Sequence, residues 1–502
     1  MMNVLTGIDL LGIQKYVFTS NRLRDVVSAS WLVQWATSCD GALQGWRNQV
    51  LHGGGGSAVL AFDSMDEAKR FAGVYSRGVQ ESAPGLELVV THYPVQNGLA
   101  EALRNLQVVL ARKKLERKAN ADALGLAVTA ACGVTGLPAT SIDPLEGTPV
   151  SKQVEMWRRA DTRRKAEARW RKDLESTSGW QFPAEIDELG RTRGDTSLYA
   201  VVHVDANDVG ERIRTWLSHC VDKRLDETAV RGQYREWSQW LDAQFHGVWL
   251  CLVRRVLSAI HDGSLQGSIQ KLNFKLRPGK LPLRPVLLGG DDLTFLCDAR
   301  IALDLAATAL REIAGVDCPH LGKISACAGV AIVRAHYPFV RAYEMAEKLC
   351  ANAKSERRKQ KHDGCWLDWH IGAARPTESV KEFRDRSYRA NGFQLTCRPY
   401  RLGGSSSEID TWCWLSDTVL GAGNDGFRGL HWGRRRNKVK NLAGLARQGP
   451  DAVRTALNAW RAVDRQLSLP DGLDDSGFWG DRTPLLDAIE LFDVHLPLRG
   501  QP

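Results

Sequence analysis

Leu281-Pro-Leu-Arg-Pro-Val-Leu-Leu288, then Gly289-Gly290-Asp291-Asp292, then Leu293-Thr-Phe-Leu296 is the stretch on which the reading of this chain turns. Two apolar runs flank a glycine pair and an acidic pair, which predicts a β-hairpin with two carboxylates at a tight tip. The glycines relax the steric limits on the turn and let a phosphate or a base approach the backbone. Adjacent carboxylates at such a tip repel unless something neutralises them, and a divalent cation does so. The same four residues would also serve as an ordinary solvated turn, so the hairpin alone does not decide the chemistry.

A second acidic strand lies upstream. Ser197-Leu-Tyr-Ala-Val-Val-His-Val204 has the apolar, β-branched pattern of a buried strand. It runs into Asp205-Ala-Asn-Asp-Val-Gly210 and then Glu211-Arg-Ile-Arg-Thr-Trp-Leu217, which reads as a helix start. A carboxylate at a strand end, followed by a glycine-containing turn into a helix, suits both a metal and a triphosphate, because backbone N–H groups converge there. Asp205 is expected to hold metal opposite Asp291 and Asp292, with the Ala206 carbonyl as a further oxygen ligand. Two Mg²⁺ or Mn²⁺ ions in that position would stabilise the attacking and leaving oxygens of an in-line phosphoryl transfer, with no separate general base. Nucleotide-binding candidates are Ala206, Asn207, Asp208 and Gly210 in the turn, and Gly289 and Gly290 in the hairpin.

A third element follows. Lys323-Ile-Ser-Ala-Cys-Ala-Gly-Val-Ala-Ile-Val333 reads as another buried strand. From Phe339 to about Lys354 a helix is predicted, with Ala342, Met345, Ala346, Leu349 and Ala353 on one face. Lys354 at its end is a candidate for holding a phosphate; the alternative is a solvated helix end beside Arg357, Arg358 and Lys359.

The order Asp205-x-Asn-x-x-Gly, GGDD, then strand and helix ending in Ala-Lys resembles the palm (cyclase-type) domain shared by GGDEF diguanylate cyclases and the large subunit of type III CRISPR effector complexes. GGDD in place of GGDEF, and the wide spacing between Asp205 and Asp291, favour the CRISPR family; Cys220–Ala259, with Trp237, Trp240 and Trp249, looks like inserted helices. The N-terminus resembles a first palm. Its carriers are Val4–Phe18, Arg22-Leu-Arg-Asp25, Ala29-Ser-Trp-Leu32 and Gly53-Gly-Gly-Gly-Ser-Ala-Val-Leu-Ala-Phe62. The last of these lies where a GGDD hairpin would, with glycines but no acidic pair. Met65–Gly78 reads as an amphipathic helix and Leu86–Thr91 as a strand, giving a β-α-β-α-β pattern that occurs twice, a divergent internal duplication. Gly54 and Gly55 are then candidates for contacting a second nucleotide, and Asp9 for a residual site.

The resemblance covers most of residues 1 to about 370 and implies a stand-alone relative. The chain contains no His-Asp nuclease motif: His261-Asp262 and His362-Asp363 are isolated pairs. It contains no CxxC pair of the zinc module found in many relatives. Asn207 stands where the more familiar Asp-x-Asp form has its second Asp, which leaves metal binding to Asp205, Asp291 and Asp292.

The expected fold is α+β: two ferredoxin-like palm (nucleotidyl-cyclase-type) domains plus a helical connector and a helical C-terminal domain. The divisions are 1–100, a degenerate palm; 101–195, a connector with a helix over Glu101–Leu124 and a strand and turn over Ala127–Pro138; 196–375, the catalytic palm, entered at Gly194-Asp195; and 376–502, with helices near 409–420, 433–447 and 450–466. Gly403-Gly404-Ser405-Ser406-Ser407 marks a loop. No apolar run is long enough to span a bilayer, and the 11 cysteines lack framework spacing, so a cytoplasmic protein with reduced, buried thiols is expected. The net charge of +9 is clustered at Arg158-Arg159, Arg163-Arg-Lys165 and Arg169-Trp-Arg-Lys172, and again at Arg434-Arg-Arg-Asn-Lys-Val-Lys440. The first run, which includes Glu155, Glu167 and Glu175, reads equally as a solvated helix; the second, with no acid inside it, leans towards an anionic partner.

These observations and the resemblance together imply a nucleotidyltransferase that takes ATP and makes cyclic or linear oligonucleotide messengers in anti-phage defence. Partners to expect are nucleoside triphosphates, an RNA activator, effector-complex subunits or a second copy of the chain, but no membrane. The rival readings are a catalytically silent nucleotide- or RNA-binding sensor and a template-dependent polymerase.

Overall fold

The computed structural model describes residues 3–116, 128–174, 179–189, 198–375 and 377–499. The expected Gly194-Asp195 entry, the end of the Glu101–Leu124 helix and Glu175 lie outside them.

Two sheets form the scaffold: a four-stranded antiparallel sheet, and a six-stranded sheet that repeats its strand order over four strands and adds a parallel pair, Ala326–Arg334 with Trp366–Ile371. The first comprises β1 (Val4–Leu11), β2 (Val50–Gly54), β3 (Ser57–Phe62) and β4 (Glu87–Pro94), arranged β2-β3-β1-β4. Helix α1 (Leu23–Thr37) follows β1, α2 (Met65–Ser82) joins β3 to β4, and α3 (Leu99–Glu116) follows β4. After the connector helix α4 (Ala160–Arg171) comes the second sheet. Its strands are β5 (Leu198–Ala206), β6 (Leu283–Gly289), β7 (Asp292–Asp298), β8 (Ala326–Arg334), β9 (Trp366–Ile371) and β10 (Tyr400–Arg401), in the order β6-β7-β5-β8-β9-β10. Helices α5 (Val209–Asp222) and α6 (Glu227–Ser258) lie between β5 and β6, α7 (Ala302–Ile313) between β7 and β8, and α8 (Phe339–Lys359) between β8 and β9.

The first sheet, and the second as far as β8, therefore run β-α-β-β-α-β, not β-α-β-α-β. The glycine-rich segments are hairpins and contribute two strands apiece. The continuous apolar pattern of β5 has a simple cause: alternate residues serve two cores. Ala200, Val202 and Val204 belong to the core shared with α6 and α7, while Tyr199 and Val201 belong to the core shared with α1 and α8. A strand covered on both faces reads as a near-unbroken hydrophobic run. Residues 128–138 form a turn closed by an Ala131–Pro138 bridge, and Cys132 packs into the core of the first sheet.

The C-terminal part has helical segments at each of the three expected places, the first of them short, and two more. Its helices span Val380–Ser387, Trp412–Trp414, Arg436–Gln448, Pro450–Val463 and Leu485–Leu491, with a wide turn over Leu415–Val419. β10 joins it to the second sheet, and a buried network ties Arg398 to Asp487 at 2.9 Å. All 11 cysteines are unpaired, and all but Cys39 are buried. No helix among the described residues is long and apolar enough to cross a membrane.

Two buried histidines give the fold a pH dependence. Burial, then the charges of Arg398 and Arg384, push His370 down to about 3. Burial and Arg428 hold His495 well below its ordinary value. The folded pKa lies below the unfolded one, near 6.5, so the unfolded chain takes up these protons first. Stability is full above that value and falls as pH drops through it, by about 1.4 kcal/mol per pH unit for each histidine. The urea midpoint is expected to be lower at pH 5 than at pH 7.5; a midpoint unchanged or higher at pH 5 would contradict this.

Candidate active site

The GGDD hairpin forms as its turn chemistry requires. Gly289 pairs with Asp292, leaving Gly290-Asp291 as a two-residue loop. Gly290 has φ +62°, at the position where such hairpins favour glycine. Asp292 is thus the first residue of β7 and not part of the tip. It sits directly opposite Asp205 in the β5–β7 register, which places the two Cβ atoms about 5 Å apart. The Ala206 N–H donates to the Asp291 carbonyl at 3.0 Å. Asp205 and the adjacent pair Asp291 and Asp292, which begins 86 residues further along the chain, converge at one sheet end.

The turn after β5 is held from below. The Asn207 N–H donates to the Ser325 carbonyl at 2.8 Å, and its amide donates to the Ser325 hydroxyl at 2.9 Å. Asn207 is therefore a buried brace. Asp208 starts α5 with φ 59°, and its carboxylate accepts from Arg358 at 2.9 Å and from Arg357. Burial opposes that charge, but the two arginines hold the Asp208 carboxyl below its usual range. Gly210 lies in the first turn of α5 and lines the cleft.

Lys354 is not at a helix end. α8 continues to Lys359, because Arg357 is buried against Asp208 and draws the last turn onto the sheet. The Lys354 ammonium lies 2.7 Å from Asp205 Oδ2 and 2.8 Å from the Ala206 carbonyl. It bridges two of the groups expected from sequence to hold metal, Asp205 and the Ala206 carbonyl. Burial disfavours its charge, but Asp205 raises its pKa above the ordinary value. Asp291 shows the opposite strain: burial, then repulsion from Asp205 and Asp292, pushes it up to about 7. An all-oxygen donor set this crowded fits a hard divalent cation. Asp205, Asp291, Asp292 and the Ala206 carbonyl would hold it.

Four further side chains complete the site. His203 precedes Asp205 by two and so shares its strand face; its Nδ1 lies 3.2 Å from Asp292 Oδ1 and 3.0 Å from the Thr294 hydroxyl. Burial opposes its charge, yet Asp292 and Asp205 carry its pKa above the ordinary value. Glu347, two helical turns before Lys354, lines the same cleft, and burial raises its pKa. Asp242 on α6 accepts from the Gly290 N–H at 2.7 Å, clamping the hairpin tip. Arg169 on α4 donates to the Leu288 carbonyl at 3.1 Å. His203 and Glu347 had readable spacings, since both recur on the face of a residue already chosen. Asp242 and Arg169 reach the hairpin from distant helices and had none.

The cleft has a volume of about 650 Å³ and is walled on its far side by the first sheet, including Asp9, Gly54 and Gly55. The two glycine hairpins touch: a Cβ on Gly289 would lie 3.1 Å from the Gly55 Cα. Their correspondence extends to register. Gly54 pairs with Ser57 as Gly289 pairs with Asp292, and Asp9 opposes Ser57 as Asp205 opposes Asp292. Lys114 of α3 pairs with Asp9 as Lys354 of α8 pairs with Asp205. Gly56 and Ser57 stand where the second hairpin has Asp291 and Asp292.

Both basic runs are partly committed to acids of the chain itself. Arg158 is buried among Asp25, Asp143 and Glu146. In the second run, Arg435 pairs with Asp464, and Arg436 and Lys440 share Asp493 at 2.8 and 2.6 Å. These acids come from elsewhere in the chain, so the run looked unpaired in sequence.

No family model matches the chain, and no curated protein matches it. Solved structures do. The chain is similar to a Csm1–Csm4 cassette in complex with AMPPNP (TM-score 0.54, 16% identity) and to a Csm1–Csm4 cassette in complex with cA3 (TM-score 0.53, 15% identity). It is also similar to Csm1 of T. onnurineus (TM-score 0.55, 14% identity). Each match covers 98% of this chain and 70% of the other. Over nearly its whole length, the chain has the fold of Csm1.

Proposed function

We propose that the two sheets are two palm domains and that the chain is a metal-dependent nucleotidyltransferase converting ATP into cyclic or linear oligoadenylates. The observation that carries this reading is the convergence of Asp205, Asp291 and Asp292 at a cleft whose opposite wall repeats the same architecture. The ligands of Csm1–Csm4 cassettes with this fold, AMPPNP, cA3, pppApApA and cA4, support the choice of adenine nucleotides. By the same likeness, a Csm4-like subunit is a partner of stated fold to test, and an RNA activator remains part of the proposal.

Two Mg²⁺ or Mn²⁺ ions would supply Lewis acidity to the reacting phosphate and hydroxyl oxygens. The protein's part is positioning and charge. The 206–210 backbone and the start of α5 present N–H groups to the donor triphosphate. Lys354 balances Asp205 until cation and nucleotide arrive, and then adds positive charge beside the triphosphate. Asp242 fixes the hairpin tip so that Asp291 and Asp292 keep their spacing. The acceptor nucleotide lies against Gly54 and Gly55, where the absence of side chains leaves room for it. Its 3′-hydroxyl oxygen bonds to the donor's α-phosphorus, the bond to pyrophosphate breaks, and the hydroxyl proton passes to solvent.

The purified chain, incubated with α-labelled ATP and Mg²⁺ or Mn²⁺, with and without candidate RNAs and a Csm4-like subunit, is expected to release pyrophosphate and phosphatase-resistant oligoadenylate. No product under any of these conditions, or full product from the Asp291→Ala/Asp292→Ala variant, would overturn the proposal.

A further inference from the structure

Helix α4 has two charged sides, and only one faces the cleft. Arg169 is on that side, stacked on Trp170 at 4.0 Å and bonded to the strand that leads into the hairpin. On the other side lies a separate cavity of about 690 Å³, bounded by α1, α4 and residues 179–184. That volume suits a small organic ligand.

Its walls are cationic. Arg24, Arg163, Arg164, Arg171 and Lys280 line it, against one carboxylate among the described residues, Glu167. Glu167 is already committed: both its oxygens accept from the buried Arg284, each at 3.0 Å. The partners of the five cations are weak or shared. Arg24 pairs with Glu185 and Arg164 with Asp161, but both pairs are about half exposed or more, where such contacts contribute little. Arg163 lies 3.5 Å from Asp25, which Arg158 already holds at 3.0 Å. Lys280 reaches Glu188 only at 3.7 Å. Arg171 has no ion pair among the described residues. Trp180 and Phe182 form the apolar wall.

Clustered cations with uncommitted charge call for an anion, and five of them around one cavity call for more than one negative charge. An aromatic wall beside them offers a stacking surface for a planar base. We propose that this cavity is an accessory site for a nucleoside phosphate, either free or as one unit of single-stranded RNA. The phosphate contacts Arg164, Arg171 and Lys280, and the base packs on Trp180. The site is distinct from the GGDD cleft and is linked to it by one helix, through Arg169 and the Leu288 carbonyl. Binding here does not depend on the chain being an enzyme.

Photolabelling of the full chain with 8-azido-ATP and, separately, with a 4-thiouridine-bearing single-stranded RNA tests this, the labelled peptides being mapped by mass spectrometry. Label on the peptide carrying Trp180 and Phe182 is expected, from the free nucleotide, the RNA or both; which probe labels it identifies the source. In Arg164→Glu/Arg171→Glu, two exposed positions, that label should fall at least about tenfold, while label on peptides of the GGDD cleft is unchanged. Trp180→Leu should lose the label in the same way, with unaltered circular dichroism. No label on this peptide from either probe, or equal label in the folded charge-reversal variant, would overturn the assignment.

Discussion

Asp205→Asn is expected to lower turnover by about a hundred- to a thousand-fold without unfolding the protein. The amide has the carboxylate's shape, so β5 keeps its register against β7 and β8. What is lost is the charge at the centre of the site. Asp205 faces Asp292 across the strand pair, Lys354 at 2.7 Å and the Asp291 tip through the Ala206 hydrogen bond. Of the three acids it alone lies on β5, directly before the 206–210 turn proposed to hold the triphosphate, so its loss is expected to weaken cation binding and nucleotide alignment together. The effect belongs in kcat, measured as pyrophosphate release at saturating ATP. A variant within a factor of three of wild type would show that Asp205 is not part of the machinery.

Gly329→Ala is expected to be the most damaging single methyl group in the second sheet. Gly329 is on β8, where α8 crosses it. A Cβ there would overlap the Ala346 carbonyl oxygen, lie 3.0 Å from that carbonyl carbon and press on the Cys350 amide. These are backbone atoms of a helix packed on both sides, so no side chain can rotate away. Overpacking of this kind costs about 1–3 kcal/mol or more. Relief requires α8 to lift, and α8 carries both Lys354 and Glu347. The variant should therefore lose stability and activity together, read as a lower urea midpoint and a drop in turnover. An unchanged midpoint would mean that the contact between β8 and α8 is looser than described.

Local chemistry made much of this legible in the sequence. The GGDD hairpin followed from a glycine pair between apolar runs, and β5 from an unbroken apolar stretch ending in an acid. Gly53–Phe62 was read as lying where a GGDD hairpin would, and in the structure Gly54 pairs with Ser57 as Gly289 pairs with Asp292. The errors share a cause: partners distant in sequence. α8 was ended at Lys354 because a run of Arg and Lys resembles a solvated helix end, yet Arg357 is buried on Asp208, 149 residues away. The Arg434–Lys440 run looked unpaired because Asp464 and Asp493 lie in other segments. Asp242 carried no mark of its role, since its contact with Gly290 exists only once the inserted α6 folds over the hairpin. Lys354 was read as a phosphate holder from its place on the helix alone; its contacts with Asp205 and the Ala206 carbonyl, nearly 150 residues away, had no mark in the sequence.

Asp205 and the Asp291-Asp292 pair, distant from it in the chain, are proposed to share cations. Equilibrium binding of Mn²⁺, followed by electron paramagnetic resonance in the presence of a non-hydrolysable ATP analogue, tests this most directly. Two bound ions per chain are predicted for the wild type, with both weakened in Asp205→Asn and in Asp291→Asn/Asp292→Asn. Mn²⁺ binding that is absent from the wild type, or the same in all three proteins, would contradict the account.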